Sequence, residues 1–205
     1  MFDKSLRGMM GPPLDAMGRG LVRLGVDADL VTLVGLGCGL IACALVAFGL
    51  PGLMALVPLL LGRLADGLDG AMARASAATD FGGFLDIVAD FAFYGAVPLA
   101  FAFRDPVRNA LPAGVLLLAF YINGASFLAF ATLAAKRGIE TAAQGEKAFY
   151  FSAGLMEGAE TIGFFVAFCL WPDGFRVLAV IFALLCFATT AGRILLAARM
   201  FRDAG

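Results

Sequence analysis

The stretch from Asp66 to Asp90, DGLDGAMARASAATDFGGFLDIVAD, sets Asp66, Asp69, Asp86 and Asp90, with Arg74 among them, inside sequence otherwise apolar enough to lie in a membrane. An ionised side chain deep in hydrocarbon costs about 2.5–3.5 kcal/mol on insertion scales, so such residues pair, face a cavity or bind ions. Four acids facing one arginine need more positive charge than the stretch supplies. Bound metal is the simplest source, and any fold proposed for the chain has to bring these residues together.

The rest of the sequence sets the environment. Of 205 residues, 61% are hydrophobic and 15% charged, against about 45–50% apolar and 25% charged in soluble domains. The excess falls in runs close to the roughly 20 residues that cross a bilayer. The expected fold class is all-α: one polytopic membrane domain over residues 1–205, with an amphipathic surface helix within 1–28 and a six-helix bundle over 30–198. The six spans are expected near 30–50, 53–75, 81–103, 110–135, 149–171 and 175–198. Breaks fall at Pro51-Gly52, Thr79-Asp80, Arg104-Asp105-Pro106, the polar stretch 136–147 and Pro172-Asp173-Gly174. Ahead of the first span, Leu14, Met17, Leu21 and Leu24 recur at helical spacing, with Asp15, Arg19 and Arg23 elsewhere on the turn, as suits a helix on the membrane surface. Asp27 and Asp29 are candidate caps for the first span.

Lysine and arginine set the orientation. With the N-terminus inside, and Arg63 and Arg74 set aside as site residues, the cytoplasmic ends hold Lys4, Arg7, Arg19, Arg23, Lys136, Arg137, Lys147, Arg193, Arg199 and Arg202. The outside keeps Arg104, Arg108 and Arg176, a ratio of ten to three. Both termini and the acidic cluster are therefore expected on the cytoplasmic side of the cell (inner) membrane. A net charge of −1 argues against a nucleic-acid partner. The absence of histidine excludes His-ligated zinc or haem and His general bases. Cys38, Cys43, Cys169 and Cys186 lie in apolar runs without C-x-x-C spacing and read as packing residues. The opening twenty residues lack the continuous apolar core of a cleaved signal peptide.

Residues three and four apart share a helix face. Asp66, Asp69, Gly70 and Ala73 thus form one stripe on the second span, and Gly82, Asp86 and Asp90 another on the third. At 1.5 Å per residue from a turn near Ala77, Asp66 and Asp90 lie about 16 and 19 Å out, and Asp69 and Asp86 about 12 and 13 Å. An antiparallel pair would bring Asp66 level with Asp90 and Asp69 level with Asp86. All-oxygen ligation suits Mg²⁺, Mn²⁺ or Ca²⁺, and four carboxylates can hold two ions in the arrangement used for phosphoryl and nucleotidyl transfer. Gly70, Ala73 and Gly82 leave room for a bulky anion, and Arg74 can give a phosphate a forked hydrogen bond. A water-filled vestibule and a divalent-cation transporter are the other readings, although transporters tend to hold such acids near the midplane.

The stretch resembles the signature of CDP-alcohol phosphotransferases (CDP-alcohol phosphatidyltransferases), D-x2-D-G-x2-A-R-x8-G-x3-D-x3-D. Asp66, Asp69, Gly70, Ala73, Arg74, Gly82, Asp86 and Asp90 fill its eight fixed positions, with seven residues rather than eight between Arg74 and Gly82. The resemblance implies an integral membrane enzyme of phospholipid synthesis that moves a substituted phosphate from a CDP-linked donor to an alcohol and releases CMP. It implies a two-metal centre of Mg²⁺ or Mn²⁺ on Asp66, Asp69, Asp86 and Asp90, with Asp90 also the catalytic base. Asp66, Gly70, Ala73, Arg74 and Gly82 would hold the CDP part of the donor. CDP-diacylglycerol is the expected donor and a small polar alcohol the acceptor; the alternative joins a soluble CDP-alcohol to a lipid alcohol. A homodimer is expected.

Further candidates for the acceptor pocket are Arg63, three residues before Asp66, and Arg193 on the last span, for which snorkelling to headgroups is the plainer role. Glu157 and Glu160, with Thr161 beside them, share a face on the fifth span. Asn123 and Ser126 read as glue between helices, and Gly35, Gly37 and Gly39 as sites of close helix packing.

Overall fold

The computed structural model describes residues 2–76, 78–138 and 158–202. It is helical throughout, with no strand among the described residues: α1 Phe2–Arg23, α2 Ala28–Ala47, α3 Gly52–Ala75, α4 Asp80–Arg104, α5 Pro106–Lys136, α6 Gly158–Leu170 and α7 Phe175–Arg202. In an apolar slab every backbone polar group must be satisfied within its own segment, which leaves the helix as the solution for each apolar run. The turn chemistry marks the ends. Asp27 caps α2, its carboxylate accepting from the Asp29 N–H, and Thr79 caps α4. Asp105 caps α5, ahead of Pro106 at the first helical position. Past the end of α2, Gly49 takes a left-handed φ of 77°, the usual helix-stopping device.

Four segments are long and apolar enough to cross a membrane: Ala28–Ala47, Asp80–Arg104, Pro106–Lys136 and Pro172–Phe201. The expected count of six is not reached among the described residues, for two reasons. Helix α3 has 24 residues, ample length, but Arg63, Asp66, Asp69 and Arg74 lie along it and dilute its apolar character. Helix α6 is described over 13 residues. Glu157, the first part of the fifth expected span and most of the stretch 136–147 lie outside the described residues.

Apolar side chains cover the outside of the bundle as well as its interior, unlike in a soluble bundle. Leu53, Val57, Leu60 and Leu64 form an exposed apolar stripe on α3, and Phe81, Phe84, Val88 and Phe91 one on α4. The interior is aromatic, with Phe93, Phe101, Phe165, Phe168, Phe175 and Phe182 fully buried. Phe101 stacks on Phe175, and Phe164 on Phe182, each at 4.4 Å between centroids.

Helix α2 organises the half of the molecule that matters for function. It packs along both α3 and α4, whereas α3 and α4 are not packed against each other. The reason is in its glycines. A Cβ on Gly35 would stand 3.2 Å from the Gly62 carbonyl of α3, and a Cβ on Gly39 would collide with the Phe93 ring of α4 at 2.6 Å. Gly35 and Gly39 are thus the packing positions expected from sequence, whereas Gly37 faces open space. The direct antiparallel contact expected of spans two and three is replaced by a wedge: α2 holds its two neighbours apart, and a cleft opens between them.

Helix α1 packs on α3. Gly18 is buried where a Cβ would lie 2.9 Å from that of Ala71, and Leu14 approaches Gly67. The apolar stripe read from sequence divides accordingly, because the packed seam runs through Gly18 while Met17 and Leu24 remain exposed.

Candidate active site

The walls of the cleft carry the four aspartates. Asp66 lies close enough to Asp69, Asp86 and Asp90 for their charges to interact. Asp69 stands in the same relation to Asp86 and Asp90, and Asp86 to Asp90. The two stripes therefore lie near enough for their charges to interact, while helical spacing fixes only the grouping within each stripe. Asp69 is the most enclosed, at 6% exposure, while Asp86 is open to the cleft. Among the described residues no three carboxylates close on a common point as tightly as a metal ion would need. The donor chemistry nevertheless fits a hard cation: four carboxylates, and, among the described residues, one guanidinium bonded to them.

That guanidinium belongs to Arg63. Its Nη1 donates to Asp90 Oδ1 at 2.8 Å and lies 3.4 Å from Asp66 Oδ1. Asp66 and Asp90 therefore do share a level, and Arg63 reaches across from α3 to α4 between them. The guanidinium rests 4.5 Å from the centroid of Phe93 and 6.0 Å from that of Tyr94, within cation–π range. The Tyr94 hydroxyl lies 3.5 Å from Asp90 Oδ2. Behind this group, Phe165 of α6 meets Phe93 and Tyr94 edge-on at 5.5 and 5.8 Å.

Helix α2 contributes two residues that sequence reasoning did not assign to the site. The Thr32 hydroxyl donates to Asp69 Oδ2 at 2.6 Å, a short, charge-assisted bond. Asp29 Oδ1 stands 3.1 Å from where a Cβ on Gly82 would be, so the first turn of α2 touches both walls. A signal existed: Asp29 and Thr32 are three apart at the start of a span and share a face. The cap role open to Asp29 in the sequence is taken by Asp27.

Around the mouth, Gly82 donates its backbone N–H to Thr79 Oγ1 at 2.9 Å. A Cβ on Gly70 would meet nothing nearer than Arg74 Nη1 at 3.5 Å, leaving the open space expected there, with half-buried Ala73 one turn on. Arg74 is held by Asp15 of α1 at 2.8 Å in an exposed pair.

The candidate acceptor residues divide. Arg63 belongs to the aspartates, and Glu160 lies half-buried in the first turn of α6. Arg193 does not snorkel: it is 6% exposed and bonded into α5. Its Nη1 lies 3.0 Å from the Asn123 carbonyl, 2.9 Å from Asn123 Oδ1 and 2.6 Å from Ser126 Oγ. Asn123 and Ser126 thus bind helices together, as their residue types suggested.

Residues 26–201 match the CDP-alcohol phosphatidyltransferase family. The chain is 48% identical over 194 residues to the Escherichia coli (strain K12) inner membrane protein YnjF, covering 95% of this chain and 94% of that one. Its fold is similar to that of Mycobacterium tuberculosis phosphatidylinositol phosphate synthase, solved with CDP-DAG bound. That likeness has a TM-score of 0.69 and 22% identity, and covers 90% of this chain and 93% of the other.

Proposed function

The chain belongs to the CDP-alcohol phosphatidyltransferase family, and from that membership we propose that it transfers a phosphatidyl group from CDP-diacylglycerol to a small polar alcohol, releasing CMP. One observation supports the reading: of the eight signature positions, the four aspartates Asp66, Asp69, Asp86 and Asp90 come close enough across α3 and α4 for their charges to interact. The similar synthase solved with CDP-DAG supports the choice of donor.

Asp66, Asp69, Asp86 and Asp90 are the residues that would hold two divalent cations, Mg²⁺ or Mn²⁺. When bound, such ions neutralise a diphosphate and stabilise CMP as a leaving group. Everything else falls to the chain itself. Asp66, Gly70, Ala73, Arg74 and Gly82 receive the CDP moiety, the small residues giving its phosphates access to the backbone. Thr32 fixes the Asp69 carboxylate. Asp90 accepts the proton of the acceptor hydroxyl as that oxygen attacks the diacylglycerol-linked phosphorus. The phosphoanhydride bond breaks, and its electrons leave with CMP. Arg193, with Asn123 and Ser126, and Glu160 form the acceptor side.

The enzyme is an inner-membrane protein in this reading, as the name of its E. coli relative suggests. Helices α2 to α7 are its six spans, with α1, both termini and the cleft on the cytoplasmic side.

The test is an assay of the purified chain with CDP-diacylglycerol and a panel of alcohols. The expected result is release of CMP that depends on Mg²⁺ or Mn²⁺, with a new phospholipid formed from one alcohol. Release only from a soluble CDP-alcohol with diacylglycerol would reverse donor and acceptor. Divalent-ion uptake into proteoliposomes without CMP release would replace the enzyme by a transporter.

A further inference from the structure

The side chain that ties α3 to α4 lies outside the eight signature positions. Arg63 presents one nitrogen to two carboxylates: Nη1 sits 2.8 Å from Asp90 and 3.4 Å from Asp66. This is not the two-nitrogen fork that makes arginine–carboxylate pairs strong. Its Nε is buried and has no hydrogen-bond partner, so the guanidinium leaves donors unused. Its firmest seat is apolar, the face of Phe93 at 4.5 Å, and that seat is available wherever the outer nitrogens point. The cleft thus holds a cation of its own, bonded to two of the four carboxylates by a single nitrogen and parked on a ring.

From this geometry we infer that Arg63 is a resident counter-cation that competes with divalent metal for Asp66 and Asp90 and leaves Asp90 when metal enters. The inference rests on the metal-dependent reading above and adds a residue to it. Two divalent charges and a guanidinium cannot share these carboxylates without strong repulsion, because like charges a few Å apart in a poorly screened cleft disfavour one another. As metal loads, the side chain swings from Asp90 while remaining over Phe93. The coupling is reciprocal: whatever Arg63 costs the metal, the metal costs the Arg63–Asp90 bond.

The experiment is a Mn²⁺ titration of the detergent-solubilised full chain, reading free Mn²⁺ by electron paramagnetic resonance, with thermal melts run alongside. Arg63→Gln should bind Mn²⁺ about tenfold more tightly than the wild type, equivalent to about 1.4 kcal/mol of relieved competition. Arg63→Lys, which keeps the charge, should stay within about twofold, and Asp69→Asn should bind weakly. Without metal, Arg63→Gln should melt below the wild type, and saturating Mn²⁺ should close the gap. An unchanged Mn²⁺ affinity in Arg63→Gln, or a melting deficit equal with and without metal, makes Arg63 a structural tie and overturns the inference while sparing the metal reading. A wild-type chain that binds no Mn²⁺ overturns both.

Discussion

Arg63 and Arg193 are both withdrawn from solvent, but they sit in opposite electrostatic company. Arg63 stands between Asp66 and Asp90 in a cleft with a surplus of carboxylates. Arg193 is surrounded by neutral oxygens, the Asn123 carbonyl and amide and the Ser126 hydroxyl, and no carboxylate pairs with it among the described residues. One region is short of positive charge and the other of negative charge. Burying a charge is costly without a partner, and the two arginines meet that cost differently, Arg63 with carboxylates and Arg193 with hydrogen bonds to neutral oxygens. In the proposed reaction the acidic cleft would take the cations, and the Arg193 niche a polar group of the acceptor. A reaction that joins a metal-dependent donor to a polar acceptor uses both.

The strongest way to break this comparison is to remove the cations. Chelation with EDTA should abolish CMP release, and added Mg²⁺ or Mn²⁺ should restore it, because Arg63 alone cannot balance four aspartates. Robust turnover in rigorously chelated buffer would end the two-metal reading.

A smaller but more specific effect separates the carboxylates from one another. Asp90→Asn should lose about 10²–10⁴ in rate, the usual contribution of a general base, and excess metal should not restore it. Asp69→Asn keeps the base but weakens a ligand already tied to Thr32, so excess Mg²⁺ or Mn²⁺ should recover part of its rate. Rate against metal concentration, with donor binding measured in parallel, tests both. Equal rescue of the two variants would make Asp90 a ligand only.

On the other side, Arg193→Gln should raise the KM for the acceptor by about 10–100-fold, as expected for losing a charged hydrogen bond of about 1.5–3 kcal/mol. The KM for the CDP donor should scarcely move. Equal changes in both constants, or in neither, would reduce Arg193 to a link between α5 and α7.

How far these assignments could be read from sequence depends on the range of the interaction. The aspartate stripes, the turns and the caps are local: spacing on one helix puts Asp66 with Asp69, and Asp86 with Asp90, whatever surrounds them. The level pairing of Asp66 with Asp90 also came through, because it follows from distance to a shared turn. What escaped was set by a third helix. The wedging of α2 between α3 and α4 depends on Gly35 meeting Gly62 and Gly39 meeting Phe93, and periodicity does not say which neighbour a glycine faces. Thr32 and Asp29 join the site through that wedge. The burial of Arg193 escapes the sequence for a similar reason. Proximity to a helix end suggests snorkelling, but Asn123 and Ser126 sit on another helix about seventy residues away in sequence.

The smallest effect is expected at the mouth, where Arg74 pairs with Asp15 in the open. Their side chains are 63% and 40% exposed at 2.8 Å, and exposed ion pairs contribute about 0.2–1 kcal/mol. Asp15→Asn should therefore leave the melting temperature almost unchanged. If Arg74 receives a donor phosphate, Asp15 competes for the same guanidinium, much as Arg63 competes with metal for Asp90. Removing that competitor should lower the KM for the CDP donor by no more than about fivefold, the equivalent of about 1 kcal/mol. The gain should fade with added salt, since the screening length falls from about 10 Å at 0.1 M to about 3 Å at 1 M. Arg74→Lys should act in the other direction, because an ammonium cannot reproduce the forked contact. Donor KM values for the two variants at low and high ionic strength give the check. An Asp15→Asn chain whose donor KM rises would mean that Asp15 positions Arg74 for the phosphate and does not compete with it.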